Sequence, residues 1–291
     1  NRPLQVIEQG DNDIPLVKLA TNAINEAGKF ATSSVYGIME RKAIYREGLG
    51  ATLINDDFDT SKPYEVPKRS KNKINLPFPY GDNEPKDTVF SNIDYKKLNA
   101  AVANSFDKKG EKAKRTRAIL VIYKDKIIAE KYGTGFSSDS RILGWSMTKS
   151  ILSTVYGIMQ YQGKLNVQDK APVSEWQNDE RKEITLHNLL QMNSGLEWNE
   201  NYDKISDVTK MLFLEKDMTV MQRKKPLEGK PNESWNYSSG TTNLLSGILR
   251  QELGSQQEYL DYWYRELIDK IGMNSMIIET DMAGHYVGSS Y

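Results

Sequence analysis

The chain has 291 residues, enough to bury a substantial core and hold two subdomains, and its 39 basic and 39 acidic side chains cancel. That balance provides no global field for nucleic acid or an anionic membrane surface, and no apolar run approaches the length that spans a bilayer. The absence of cysteine excludes disulfides and thiol catalysis and leaves the compartment open. The first residue is Asn1 rather than Met, which fits removal of an N-terminal segment, a lost signal peptide being one option; by itself this is not evidence of export, and the location stays open with a periplasmic or secreted one slightly favoured.

In chain order, residues 14–30 place Leu16, Leu19, Ala23, Ile24 and Ala27 on one side and predict a helix, with a short strand over residues 35–39 (VYGIM). Residues 56–87 are rich in Pro, Lys, Asn and Asp but carry Tyr64, Phe78 and Tyr80, which predicts an ordered surface excursion able to wall a site. Residues 95–106 read as a helix. The charged run 108–117 reads as an exposed loop, and residues 118–133 as two strands turning at Lys124 to Lys126. Helices dominate thereafter. The chain thus divides into an N-terminal segment with its excursion (1–109), a strand hairpin (110–145) and a mainly helical part (146–291).

Ser-x-x-Lys occurs three times, at Ser70 to Lys73, Ser105 to Lys108 and Ser146 to Lys149. The first copy lies in a polar stretch and the second ends a helix. Only the third opens an amphipathic segment, in which Ile151, Leu152, Val155, Ile158 and Met159 recur at helical spacing before Gly163. Ser146 falls at the first turn, where free N–H groups and the positive end of the dipole favour a forming oxyanion. A plain helix cap would be followed three residues later by Glu or Gln; here a lysine stands where the dipole opposes a cation. A neutral amine at that position can take a hydroxyl proton from its neighbour one turn away, making a nucleophile and base pair.

Further on, Tyr237 and Ser239 precede a second helix with core positions Leu244, Leu245, Ile248 and Leu249, closed by Gly254. On pattern alone Tyr237 is a loop tyrosine and Ser239 or Thr241 a helix cap. Other chemistries find less support. No Gly-x-Ser-x-Gly surrounds Ser146 or Ser239, His187 reads as a partly buried helix residue, and two distant histidines without cysteine make an atypical zinc set. Gly48-Leu49-Gly50 and Gly133-Thr134-Gly135 lack the third glycine of a dinucleotide fingerprint. No metal and no cofactor is expected.

Residues 144–150 (GWSMTKS), 184–202 (ITLHNLLQMNSGLEWNENY) and 236–245 (NYSSGTTNLL), in that order, resemble the class C beta-lactamase-like serine hydrolases. Within that group the chain is most similar to the 6-aminohexanoate-dimer hydrolases and related esterases, from about Ser34 onward. The resemblance implies an α/β (α+β), beta-lactamase/transpeptidase-like fold: an antiparallel sheet flanked by helices plus an all-helical subdomain. It implies Ser146 as nucleophile, Lys149 as its base and Tyr237 as the second acid/base, a Ser-x-x-Lys logic shared with penicillin-binding proteins. Ser239 stands where many relatives have an asparagine, which argues against a true beta-lactamase and makes Ser239 a candidate for binding substrate or orienting the lysine. Trp145 and Tyr202 are candidate substrate-binding residues, with Trp198 and Trp235 as further candidate walls.

The family's Lys- or His-x-Gly strand, which supplies an oxyanion-hole N–H, has no counterpart in this chain, and His285 between Gly284 and Gly288 falls too early to replace it. A further C-terminal segment of the same protein is therefore expected as a partner. The implied substrates are small amides or carboxylic esters; the alternative is a non-hydrolytic beta-lactam- or peptidoglycan-binding sensor, or an inactive relative of the same fold.

Overall fold

Short segments able to pair as strands, separated by tight turns, occupy residues 20–54. In the computed structural model, which describes residues 4–10, 17–70, 73–85 and 88–289, they form an antiparallel meander behind helix α1 (Leu4–Gly10). Its strands β1 (Ala20–Asn25), β2 (Phe30–Val35), β3 (Ile38–Arg46) and β4 (Gly50–Ile54) pair in that order. Val35 pairs with Ile38 across Tyr36 and Gly37, whose φ angles of 52° and 74° make the two-residue turn that matches strand twist.

Two expectations fail here. The helix over 14–30 is absent from its described part: residues 17–19 make a single 3₁₀ turn and residues 20–25 are strand, while 14–16 lie outside the described residues. Thr21, Asn22 and Asn25 are weak helix formers, and a six-residue ladder with β2 satisfies the backbone instead. The VYGIM strand is likewise a hairpin turn joining two longer strands.

The excursion is ordered where described. It straps over the helical body, with Arg69 Nε donating to Asp269 Oδ1 (2.7 Å), Nη1 donating to the Met276 carbonyl (2.9 Å), and the guanidinium 4.1 Å from the Tyr264 ring centre. Helix α2 (Tyr95–Asn104) is capped by Asp94, which accepts from Lys97 N (3.0 Å). Strands β5 (Ala118–Tyr123) and β6 (Lys126–Tyr132) then form a separate two-stranded sheet. Lys124 and Asp125 turn it with φ of 46° and 57°.

The rest is helical: α3 (Thr148–Tyr161), α4 (Leu186–Leu190), α5 (Asp207–Leu214), α6 (Val220–Arg223), α7 (Ser239–Glu252) and α8 (Gln256–Trp263), the last running into a π-helical turn at Tyr264–Ile268. None of the described helices is long and apolar enough to cross a membrane. The core forms where α3 meets α7. Leu152, Val155 and Met159 bury against Leu244, Leu245, Ile248 and Leu249, as the helical spacing requires. Tyr156, also fully buried, donates its hydroxyl to the Leu245 carbonyl (2.8 Å).

Helix α7 is the hub of the body, buried on every side from Ser239 to Leu249. Close approach explains two of its glycines: a Cβ at Gly240 would sit 2.4 Å from the Trp198 ring, and one at Gly247 would sit 2.8 Å from Thr219 Cβ. The far end is braced by Tyr286, whose ring lies 5.2 Å from those of Tyr259 and Trp263 and whose carbonyl accepts from Ser246 Oγ (2.7 Å).

Candidate active site

The N-termini of the two central helices, α3 and α7, point their first residues at each other. Trp145–Met147 is a 3₁₀ turn that leads into α3, so Ser146 lies one turn ahead of the buried helix rather than inside it. Trp145 has φ 45°, a left-handed conformation that costs an L-residue about 1–2 kcal/mol. This kink presents the Ser146 hydroxyl to solvent while Thr148, buried, anchors the turn by donating to the Trp145 carbonyl (3.1 Å).

Lys149 sits half-buried between the two helices, and its Nζ has three oxygen partners. It donates to Ser146 Oγ at 3.1 Å, to Ser239 Oγ at 3.2 Å and to the Ser289 carbonyl at 2.8 Å. The half-buried Tyr237 ring centre lies 4.8 Å from the same nitrogen, within cation–π range. The fold thus brings together Ser146, Lys149, Tyr237 and Ser239, residues at or just before the starts of two helices about ninety positions apart. Ser239 does not cap α7; Ser238 does, accepting from Thr241 N (2.9 Å), and the Ser239 oxygen accepts from Lys149 instead.

The aromatic candidates divide by burial. Trp145, Tyr202 and Trp235 are more than half exposed, whereas Trp198 is 6% exposed and packs over Gly240. Trp198 is therefore a core residue rather than an open substrate wall, because the glycine leaves room for its ring against the start of α7. Trp145 also borders a cleft of about 300 Å³ lined by Leu53, Leu212, Phe213, Met218 and Val287. The Trp235 and Tyr237 rings lie 6.0 Å apart.

Sequence reasoning missed Glu200, two residues before Tyr202. Its Oε1 accepts from the Ser239 hydroxyl and from Tyr202 Oη (2.9 Å), and its Oε2 accepts from Ser239 N (2.9 Å) and Trp198 Nε1. Partial burial, reinforced by this carboxylate against an opposing Ser239 contact, pushes the Tyr202 phenol up to about 12, so it stays a hydrogen-bond donor. Asn243, one turn into α7, donates to Ser289 Oγ (3.1 Å) and so ties down the segment whose carbonyl meets Lys149. An acidic residue between two aromatics was the only local signal for Glu200; for Ser289 there was none.

His285 is placed elsewhere. Its Nδ1 lies 3.4 Å from Asp217 and 3.6 Å from Asp281, and these three are the set, among the described residues, with the side-chain types and spacing to hold a metal ion. Asp281 accepts N–H groups from Met218, Ala283 and His285 (2.9, 3.0 and 2.9 Å), and Asp217 Oδ1 accepts from Thr219 N and Oγ1 (2.9 and 2.6 Å). The cluster is a charged clasp between the segment before α6 and the C-terminal loop.

Comparison with known proteins bears on the fold and the family. A 6-aminohexanoate-dimer hydrolase from Paenarthrobacter ureafaciens is 31% identical over 98 residues, 32% of this chain and 24% of that protein. A Bacillus anthracis structure provisionally assigned as a 6-aminohexanoate-dimer hydrolase aligns with TM-score 0.53 at 16% identity, covering 66% of this chain and 52% of that one. FmtA from Staphylococcus aureus aligns with TM-score 0.50 at 16% identity, over 71% and 65% of the two chains. The chain therefore spans about a quarter of its curated relative and about half of the Bacillus structure. The Beta-lactamase family matches residues 102–289, a stretch that holds both central helices and well over half the sequence, and the chain belongs to that family.

Proposed function

We propose that this protein is a serine hydrolase that cleaves small amides or carboxylic esters through an acyl-enzyme. The observation that carries the reading is the 3.1 Å contact between Lys149 Nζ and Ser146 Oγ, with the amine held from behind by Ser239 and Ser289. In the neutral form the amine accepts the Ser146 proton as Oγ bonds to the substrate carbonyl carbon. The oxyanion develops at the N-terminal turn of α3, where the Ser146 N–H has no preceding helical carbonyl and can donate to it. Tyr237, beside the lysine, hands a proton to the leaving group and then draws one from the attacking water, while Lys149 returns the proton it took to Ser146 Oγ as the acid is released. The amide preference rests on the 31% identity to a 6-aminohexanoate-dimer hydrolase. The exposed aromatics Trp145, Tyr202 and Trp235 suit an uncharged, extended substrate lying across the mouth.

Incubation of the protein with a fluorophosphonate and a chromogenic short-chain ester, followed by peptide mass spectrometry, tests this. The expected result is an adduct at Ser146 with steady ester turnover, reduced about 10³-fold in Lys149→Ala and by about 10²-fold or more in Tyr237→Phe. An adduct without turnover would turn the assignment to a non-hydrolytic sensor. Wild-type activity in Lys149→Ala would defeat the mechanism.

A further inference from the structure

We propose that Glu200 is a positioning residue for acyl transfer: it locks the Ser239 hydroxyl as a pure acceptor toward Lys149 and thereby aims the lysine lone pair at Ser146. The proposal rests on the serine hydrolase reading above.

A carboxylate can only accept, so the hydrogen bond between Ser239 Oγ and Glu200 Oε1 must use the single Ser239 hydroxyl proton. The backbone N–H of the same residue donates to the other oxygen at 2.9 Å, which fixes the carboxylate across the start of α7. With its proton turned away, Ser239 Oγ presents only lone pairs to Lys149 Nζ at 3.2 Å. The Ser289 carbonyl, 2.8 Å away, is likewise an acceptor only. A neutral amine has two N–H bonds and one lone pair arranged tetrahedrally. Two obligate acceptors take the two N–H bonds, and the lone pair is left facing the third partner, the Ser146 hydroxyl at 3.1 Å. If Ser239 could turn its proton toward Nζ, the amine would accept there and its lone pair would be lost to Ser146.

The same contacts argue against a substrate-binding role for Glu200. Each of its oxygens already takes two donors, from Ser239, Tyr202 and Trp198, so no lone pair is left over for a substrate ammonium. Glu200 acts through Ser239, where the relatives' asparagine would present a fixed amide oxygen without help.

The test is Glu200→Gln in the full-length protein, with Ser239→Ala and the double variant as partners. An amide at 200 keeps one acceptor atom; with that oxygen held by Ser239 N and Trp198 Nε1, its NH2 group donates to Ser239 Oγ and the hydroxyl proton is free to turn to Lys149. Expected is a fall in kcat of about 10²-fold with KM within about twofold, and a parallel fall in the rate of fluorophosphonate labelling at Ser146. Since Glu200 works through Ser239, Ser239→Ala should show the same kcat-specific loss and the double variant should be no worse than either. Effects that multiply, or wild-type kcat and an unchanged labelling rate in Glu200→Gln, overturn the role. Should Glu200→Gln fail to fold, wild-type kcat in Ser239→Ala overturns it alone. A wild type that takes no label at Ser146 overturns the hydrolase reading and this inference together, whereas a labelled wild type with unaffected variants overturns only the inference.

Discussion

The helical body and the strand segments solve the problem of rigidity differently. In the body, α7 is enclosed on all sides and its polar groups are tied to residues distant in sequence, such as Ser246 to Tyr286. In the β5–β6 hairpin each strand pairs only with the other among the described strands, and Leu120 and Ile122 are 43% and 49% exposed. The reacting groups stand on the first kind of support. A lysine that must hold its amine within about 3 Å of a hydroxyl needs a base that does not shift, and closely packed helices provide it. The nucleophile itself is allowed to protrude, on a kinked turn at the edge of that body.

The sharpest way to break this contrast is to remove equal side chains from the two regions. Leu245→Ala should cost about 2–5 kcal/mol, as deletions in a filled core do, whereas Leu120→Ala should stay within about 0.5 kcal/mol. Urea titrations of the two variants give the comparison; equal losses would mean that the hairpin carries as much packing as the body.

A smaller effect is expected where body and site join. Gly240→Ala places a methyl 2.4 Å from the Trp198 ring, so the ring or the start of α7 must shift. The cost should be about 1–3 kcal/mol, the range for overpacking. Because Trp198 also donates to Glu200, ester turnover should fall more than stability alone explains. Unchanged turnover in a destabilised Gly240→Ala would separate the packing from the chemistry.

The smallest effect concerns pH. Burial alone would lower the His285 imidazole, but Asp217 and Asp281 outweigh it and raise it to about 9. Burial would raise Asp217, yet His285 and Thr219 hold it at about 2. The raised histidine contributes stability in full below its unfolded value of about 6.5, and loses it as pH climbs through the folded one. Asp217 contributes above about pH 4 and loses it as pH falls toward its folded value. Unfolding free energy should therefore drop on the order of 1–2 kcal/mol between pH 6 and pH 10. His285→Gln should flatten that slope, and an equally steep slope in the variant would assign it to other groups.

Much of the body was legible from residues alone. The 3.6-residue spacing of Leu152, Val155 and Met159, and of Leu244, Leu245, Ile248 and Leu249, specified two helices and their buried faces, because a helix must hide such a stripe. The turn at Lys124 and Asp125 was placed where the apolar alternation breaks. The stretch 14–30 misled over its described part, since small and apolar residues at mixed spacing suit a helix as well as a strand, and the long-range ladder decided between them.

For the site, the sequence by itself determined that Ser146 and Lys149 stand one helical turn apart and that this turn opens a buried helix, because both facts are local. Tertiary structure decided the rest: that Ser239 Oγ accepts from Lys149 while Ser238 caps the helix, that Trp198 is buried over Gly240, that Glu200 reaches across to Ser239, and that the Ser289 carbonyl closes the set. Each is a contact between residues tens of positions apart, or a choice between adjacent serines. Such contacts depend on how α3, α7 and their loops pack, and no periodicity along the chain records it.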